Sequence, residues 1–426
     1  MKIEWFESSR LGERYCKIKL QNRPMLYVFP KKMSNTYALC AVRYGSVDRS
    51  YRISGGKQII LPDGIAHFLE HKMFTEEDGS DAFDKFSAFG ADANAYTSYD
   101  RTVYLFNCTS NFESSFSTLL NMMTHPYFTD ESVKKECGII EQEILMYEDE
   151  PEAVCYENML SALYREHPVR VNGCGTPESI SQITPELLYG CYNTFYNPDN
   201  MVIVVCGNVD AQKIAGMVEA QEGWTKSLKF ERCIANDFDQ PYQKSIYRKM
   251  QVALPLFAIG FKEREVVADA ALRHRQDIIA SILERMLFST SADLYNELYD
   301  KGLITSPFSV GRTVEDTYAF TELCGTADNP ESIVNYIVSH IENKRTKGLS
   351  CDDFVRCKCR KIGDVVSRFD STEEIANSLI DYAFDDLDIL RDAEIVESIE
   401  FDEVVELFDK MYHEQNMAVS YIMPLN

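Results

Sequence analysis

The sequence repeats itself. Residues 67–74, HFLEHKMF, line up with residues 281–288, SILERMLF, at an offset of 214 positions. Further on, TSNFES (Thr109–Ser114) resembles TADNPES (Thr326–Ser332), and each leads into an amphipathic stretch. Two more helical stretches follow, one after Thr129 and one after Ser350. The same order of parts in both halves predicts two copies of one unit. A spacing this long means duplicated domains, because solenoid repeats run about 20–50 residues. A chain of 426 residues is also too long for one ordinary core.

Within each copy, short strands alternate with amphipathic helices. TVYLFNC (Thr102–Cys108) and NMVIVVCG (Asn200–Gly207) are apolar, rich in β-branched residues and bounded by turn residues, which predicts buried strands. Phe112–Met123, Asp130–Glu150 and Pro185–Thr194 carry helical spacing, the second with Thr129 as N-cap and Pro151 beyond its end. Between residues 221 and 245 the periodicity lapses, which puts the junction there. The expected domains are residues 1–222 and 246–426, joined by a linker over 223–245.

Charge and cysteine usage set several functions aside. Asp and Glu number 67 against 43 Lys and Arg, a formal net charge of −24. Such a balance argues against nucleic-acid binding and against a polybasic membrane patch. The 13 cysteines are odd in number and include no C-x-x-C pair, so neither a disulfide framework nor a thiolate zinc knot is expected. The first twenty residues are charged throughout and do not read as a signal peptide, and no apolar run is long enough for a membrane helix. A reducing, cytoplasmic setting follows as the expectation. Residues 364–410 hold 16 acidic side chains against 3 basic ones, with apolar residues still at helical spacing. That pattern reads as the solvated face of packed helices, with a wall that attracts cationic substrate as the sharper alternative.

The chemistry concentrates in His67-Phe68-Leu69-Glu70-His71. On a helix, residues 67 and 71 are one turn apart on the same face, so both imidazoles reach one metal ion. Glu70 lies beside them, where a carboxylate can take a proton from water at the metal. Pro62-Asp63-Gly64 supplies a start, and Ile65, Phe68, Leu69 and Met73 form a stripe that buries the helix. A catalytic zinc needs a third protein ligand and one open position. The stretch Glu136–Glu150 offers Glu136, Glu141, Glu143, Glu148 and Glu150. Glu136 and Glu143 are two turns apart and share a face beside Ile139, Ile140, Ile144 and Met146, whereas Glu141 and Glu148 read as solvated. Spacing alone leaves the choice of third ligand open.

With H-x-x-E-H followed some 70 residues later by E-x6-E, the chain resembles the inverzincins of the pitrilysin, insulinase and mitochondrial processing peptidase family. GADANAYTSYDRTVYLF (Gly90–Phe106) is similar to that family's active-site edge strand. HPVRVNGCGTPESI and FYNPDNMVIVVCGNVD are similar to the end of its first domain. The wording is nearest to short bacterial processing-peptidase-like members. The resemblance is close over residues 30–210 and in outline beyond. It implies an α+β fold of two homologous α/β sandwich domains, LuxS/metallohydrolase-like, each an antiparallel-rich sheet with helices packed on one face. It implies one Zn2+ per chain held by His67, His71 and Glu143, with Glu70 as general base and Glu136 as an auxiliary catalytic acid. Asn94, Ala95, Tyr96 and Thr97 become the strand that binds peptide substrate.

The implied activity is that of a zinc endopeptidase cleaving peptides or short unfolded segments inside a chamber, with metal-activated water and Glu70 as general base. Such chambers have four domains, so a second chain is implied: a copy forming a homodimer, or a homologous partner lacking the zinc motif. The alternatives are a non-catalytic subunit that keeps zinc and a hydrolase of small molecules on the same fold. The chain also departs from the family pattern. In SADLYNELYDKGLITSPFS (Ser291–Ser309), Asp293 stands where an arginine is expected, and no tyrosine follows Gly302-Leu303. Ser281 and Arg285 replace the two histidines, and Cys357 and Asp364 align with Glu136 and Glu143, so the second domain is expected to hold no zinc. The remaining histidines (His125, His167, His274, His340 and His413) read as structural or exposed. If the −24 charge lines the cavity, activity on cationic peptides should weaken with added salt.

Overall fold

Seven strands whose apolar residues alternate between two faces build the first sheet. In spatial order they are Lys2–Ser8, Glu13–Lys19, Met25–Pro30, Met201–Gly207, Thr36–Val42, Thr102–Cys108 and Asp92–Thr97. All neighbours are antiparallel except Met25–Pro30 beside Met201–Gly207. Leu26, Val28, Ala38, Cys40 and Val205 face one core, and Tyr27, Phe29, Leu39, Val204 and Cys206 face another, as the two-residue period of a strand dictates. A computed structural model describes residues 1–304 and 308–425; Thr305–Pro307, within the segment carrying Asp293, lie outside the described residues.

The chain divides into two compact units. The first holds Met1–Ile144, Asn172–Ile234 and Val366–Asp392, and the second holds Leu145–Val171, Ala235–Val365 and Ala393–Asn426. The sheet of the second unit runs Ser245–Met250, Met417–Pro424, Leu256–Lys262, Ala319–Thr326, Ser309–Val314. Taken inward from the strands Asp92–Thr97 and Ser309–Val314, five strands follow the same order in both units. Three antiparallel pairings are succeeded by one parallel pairing in each. The repeat seen in the sequence is thus a repeat of topology, and the α/β plan of two homologous domains holds.

Local expectations are met closely: strands at Thr102–Cys108 and Met201–Gly207, and helices at Phe112–Thr124, Asp130–Glu148 and Pro185–Phe195. Thr129 accepts from the Ser132 backbone N–H at 3.2 Å, as an N-cap should. The stretch read as linker contains one short strand, Phe230–Arg232, which pairs with Ser50–Ile53.

Compared with a division at residues 222 and 246, the compact units differ in two crossing segments. Helix Pro151–Leu163 packs on the second unit's strands Leu256–Lys262 and Met417–Pro424. Gly260 permits the approach, since a Cβ there would lie 2.5 Å from Leu163 Cδ1 and 2.9 Å from Met159 Cγ. Helix Thr372–Phe384 does the corresponding job in the first unit, on strands Met201–Gly207 and Thr36–Val42. Most helices of the first unit lie on one face of its sheet, and this helix adds cover on the other, burying Ile375, Leu379 and Ile380 against Phe29, Leu39 and Val204.

The acidic run supplies that cover with its pairing groups. Asp386 meets Lys17, Asp381 meets Arg101, Asp385 lies 3.8 Å from Arg43, and the Tyr15 hydroxyl donates to Asp388 at 3.1 Å. Arg368 lies 2.9 Å from the buried carboxylate of Asp392, which also accepts from the Tyr382 hydroxyl. Leu379 is fully buried in this layer. Leu379→Ala is expected to cost about 2–5 kcal/mol, read as a lowered denaturation midpoint. An unchanged midpoint would show that this helix does not hold the second face.

Candidate metal centre

Helix Ile65–Lys72 carries the motif, and its geometry follows from what buries it. Ile65, Ala66, Phe68 and Leu69 enter the main core, which leaves the adjoining face with His67, Glu70 and His71 turned toward helix Asp130–Glu148 and strand Asp92–Thr97. The helix starts at Gly64 with φ of +86°, a left-handed conformation that favours glycine. A Cβ on Gly64 would lie 2.3 Å from the Cys174 carbonyl oxygen, and one on Gly175 would lie 2.4 Å from the Asp63 carbonyl oxygen. The two backbones therefore interlock through their glycines. The Ser179 hydroxyl donates to the Asp63 carbonyl at 2.8 Å and secures the contact, while Thr176 and Ser179 cap the helix that follows.

Both imidazoles turn toward Glu143. His67 Nε2 lies 3.8 Å from Glu143 Oε1, and His71 Nε2 lies 3.6 Å from Glu143 Oε2. These separations are too long for hydrogen bonds. They suit donors around a shared cation, since tetrahedral ligands at about 2.0–2.1 Å sit about 3.3 Å from one another. His67 Nδ1 is buried with no hydrogen-bond partner. Burial, with His71 close by, pushes the His67 pKa down to about 3, which keeps the ring in the neutral form a metal requires. Burial also opposes charge on His71, but the Glu136 acceptor and the carboxylates of Glu70 and Glu143 outweigh it and hold its pKa above the usual value. Two neutral-capable imidazoles and a carboxylate form a donor set that fits zinc.

Glu136 and Glu143 meet different edges of the His71 ring. Glu136 Oε1 lies 3.1 Å from His71 Nδ1, on the ring edge away from Glu143, and its other oxygen is 3.8 Å from the buried ammonium of Lys72. The contact with His71 engages the Nδ1 edge of the ring and leaves Nε2 toward Glu143. Glu141, Glu148 and Glu150 are exposed. Ile140 and Ile144 are buried as the pattern implied, whereas Ile139 and Met146 are exposed.

Glu70 is 7% exposed and accepts a 2.5 Å hydrogen bond from the Thr97 hydroxyl on Oε2. Burial raises its pKa, and the Thr97 hydroxyl works in the opposite direction. Thr97 closes strand Asp92–Thr97, an edge of the seven-stranded sheet whose residues alternate in exposure. Ala95 and Thr97 face inward and Asn94 and Tyr96 face outward, so of these four residues Thr97 reaches Glu70. One residue escapes a sequence reading. The Cys174 thiol, His67 and Glu143 each offer a ligand atom within 4.8 Å of the other two. No sequence spacing marks Cys174, because its loop reaches the site only through the contact between Gly64 and Gly175.

The second unit shows what becomes of this arrangement without histidines. Arg285, in the place of His71, forms an ion pair with Asp364, in the place of Glu143. Glu284, in the place of Glu70, is still buried, its pKa pushed up to about 7 by that burial despite Arg312 at 4.0 Å. It accepts from Thr321 at 3.3 Å.

Known proteins place the chain in a family. The sequence profile of Insulinase (Peptidase family M16) matches residues 62–176, and that of the Peptidase M16 inactive domain matches residues 182–360. YmfH of Bacillus subtilis, an uncharacterized zinc protease, is 35% identical, over 99% of each chain. This chain belongs to the M16 peptidase family. Zinc protease PqqE of Helicobacter pylori is 25% identical over 79% of this chain and 77% of its own. A solved M16-like peptidase from Alicyclobacillus acidocaldarius superposes with a TM-score of 0.92 at 34% identity, covering 96% of this chain and 97% of that one. Among the described residues no helix is long and apolar enough to cross a membrane.

For an M16 centre built this way, Glu136→Gln is expected to weaken zinc binding about 10–100-fold, because His71 loses its charged acceptor. Competition with a chromophoric chelator measures it. Unchanged affinity would mean that Glu136 does not orient the ring.

Proposed function

We propose that this chain is a zinc-dependent endopeptidase for peptides or short unfolded segments, holding one zinc through His67, His71 and Glu143. The observation that carries the reading is the turn of both imidazoles toward Glu143 with the buried Glu70 carboxylate alongside. Zinc bound there supplies Lewis acidity toward water and the scissile carbonyl. Glu70 serves as general base. Thr97 occupies Oε2, so Oε1 takes the proton from water and delivers it to the departing amine. The raised pKa favours this shuttle, because a carboxylate moved toward neutrality both accepts and returns a proton readily.

The edge strand orients the substrate. An extended peptide added beside Asn94–Thr97 gains backbone hydrogen bonds that are largely indifferent to its side chains. Because the same strand ends on the hydroxyl that holds Glu70, docking and proton transfer share one element. The active assembly includes a second chain, either a copy or a homologue without the zinc motif, to complete a four-domain chamber. The intact, buried Glu70 disfavours a purely structural zinc site, which has no use for a base.

Glu70→Gln tests the mechanism. The variant is expected to keep its zinc, measured by elemental analysis, while cleavage of unstructured peptides falls by at least about 100-fold. Cleavage at the parental rate would remove Glu70 from the mechanism, and loss of metal from His67→Ala would be the matching sign that the ligand set is right.

A further inference from the structure

We infer that Cys174 is a fourth protein ligand, its thiolate taking the coordination position that hydrolysis leaves to water, so that the centre is closed at rest. The inference rests on the zinc reading above and goes beyond it by adding a means of control. The geometry is direct. His67, Glu143 and Cys174 are the group of metal-binding side chains, among the described residues, whose donor atoms all lie within 4.8 Å of one another. His71 lies outside that group and is linked to it through Glu143 at 3.6 Å, so it completes the set by a small inward shift of its ring. Two imidazoles, one carboxylate and one thiol make four donors, and four is the complement that zinc takes in closed sites; an open catalytic site has three.

The loop that carries Cys174 is held in place. Gly64 and Gly175 interlock at the start of the motif helix, the Ser179 hydroxyl holds the Asp63 carbonyl, and the Cys174 backbone N–H donates to Asn172 Oδ1 at 2.7 Å. The thiol is thus brought to the ligands by the same contact that starts their helix. Sulfur is also the softest donor at hand, and zinc accepts it readily beside nitrogen and oxygen. A bound thiolate and an attacking water compete for one position. Whatever draws the thiol away, whether substrate entering along the edge strand or a reagent that caps the sulfur, opens the centre. Capping by a small electrophile such as iodoacetamide forms a sulfur–carbon bond, expels iodide and releases the thiol proton to solvent, and so withdraws this donor from the centre.

Cobalt in place of zinc makes the sulfur visible. The wild-type chain loaded with Co2+ should show a sulfur-to-cobalt charge-transfer band in the near ultraviolet, and Cys174→Ser should lack it while retaining the visible bands of a nitrogen–oxygen site. Zinc affinity should fall about tenfold in Cys174→Ser, and peptide cleavage should rise. An independent measurement uses the unaltered chain. Iodoacetamide should alkylate Cys174 several-fold more slowly with zinc bound than without, by mass spectrometry, while the exposed Cys351 and Cys359 react equally in both states. If wild type and Cys174→Ser bind cobalt with the same spectrum, or if zinc gives Cys174 no protection, the thiol is not a ligand and this inference falls alone. If neither protein binds cobalt or zinc, the zinc reading falls and takes the inference with it.

Discussion

The site depends on a contact between two glycines. Gly64 can begin its helix only in a left-handed conformation, and there the chain 110 residues later lies so close that neither position tolerates a side chain. This approach fixes the axis of a short helix whose own hydrogen bonds would not hold it. Everything downstream inherits that axis: the facing of His67 and His71, the reach of Glu143 from a separate helix, and the depth at which Glu70 meets Thr97. The core supplies the second constraint. Phe68 and Leu69 are fully buried, which opposes rotation of the helix about its axis.

The two units differ in how the same place is neutralised. In the first, two imidazoles and a carboxylate face one another at distances that call for a cation. In the second, the cation is covalent: the Arg285 guanidinium meets Asp364 directly, and Arg360 approaches the same carboxylate at 3.1 Å. An ion pair of this kind needs no ion from solution and leaves no coordination position for chemistry. Glu284 persists there as a buried carboxyl within reach of Arg312, Thr321 and Tyr412, held in a network of protein groups. One layout carries a candidate metal centre in one copy and an ion pair in the other.

Much of this was legible in the residues, for reasons of range. The motif helix announces itself because its two histidines are four apart and its buried stripe is local. Strands such as Thr102–Cys108 declare themselves by composition. Glu143 and Glu136 could not be told apart by spacing, since both share a face; only the tertiary placement of His71 gives one carboxylate Nε2 and the other Nδ1. Cys174 and the interlocked glycines were invisible because their meaning lies between segments distant in sequence. The acidic run was read as a solvated face, and its helical spacing was correct. What composition hid is that Lys17, Arg43 and Arg101, scattered over the first third of the chain, are the partners those carboxylates meet.

The crossing helices carry a consequence for how the chain is made. As it leaves the ribosome, the first unit completes all seven strands of its sheet by residue 207, but Phe29, Leu39 and Val204 stay uncovered until residues 372–384 emerge. During that interval the nascent chain carries an apolar sheet face and, already in hand, the Pro151–Leu163 helix destined for a sheet not yet synthesised. The topology therefore delays commitment. Neither half can finish early, and a ribosome that stalls between residues 207 and 372 releases a product marked by exposed sheet, the kind of surface that chaperones and quality-control proteases recognise.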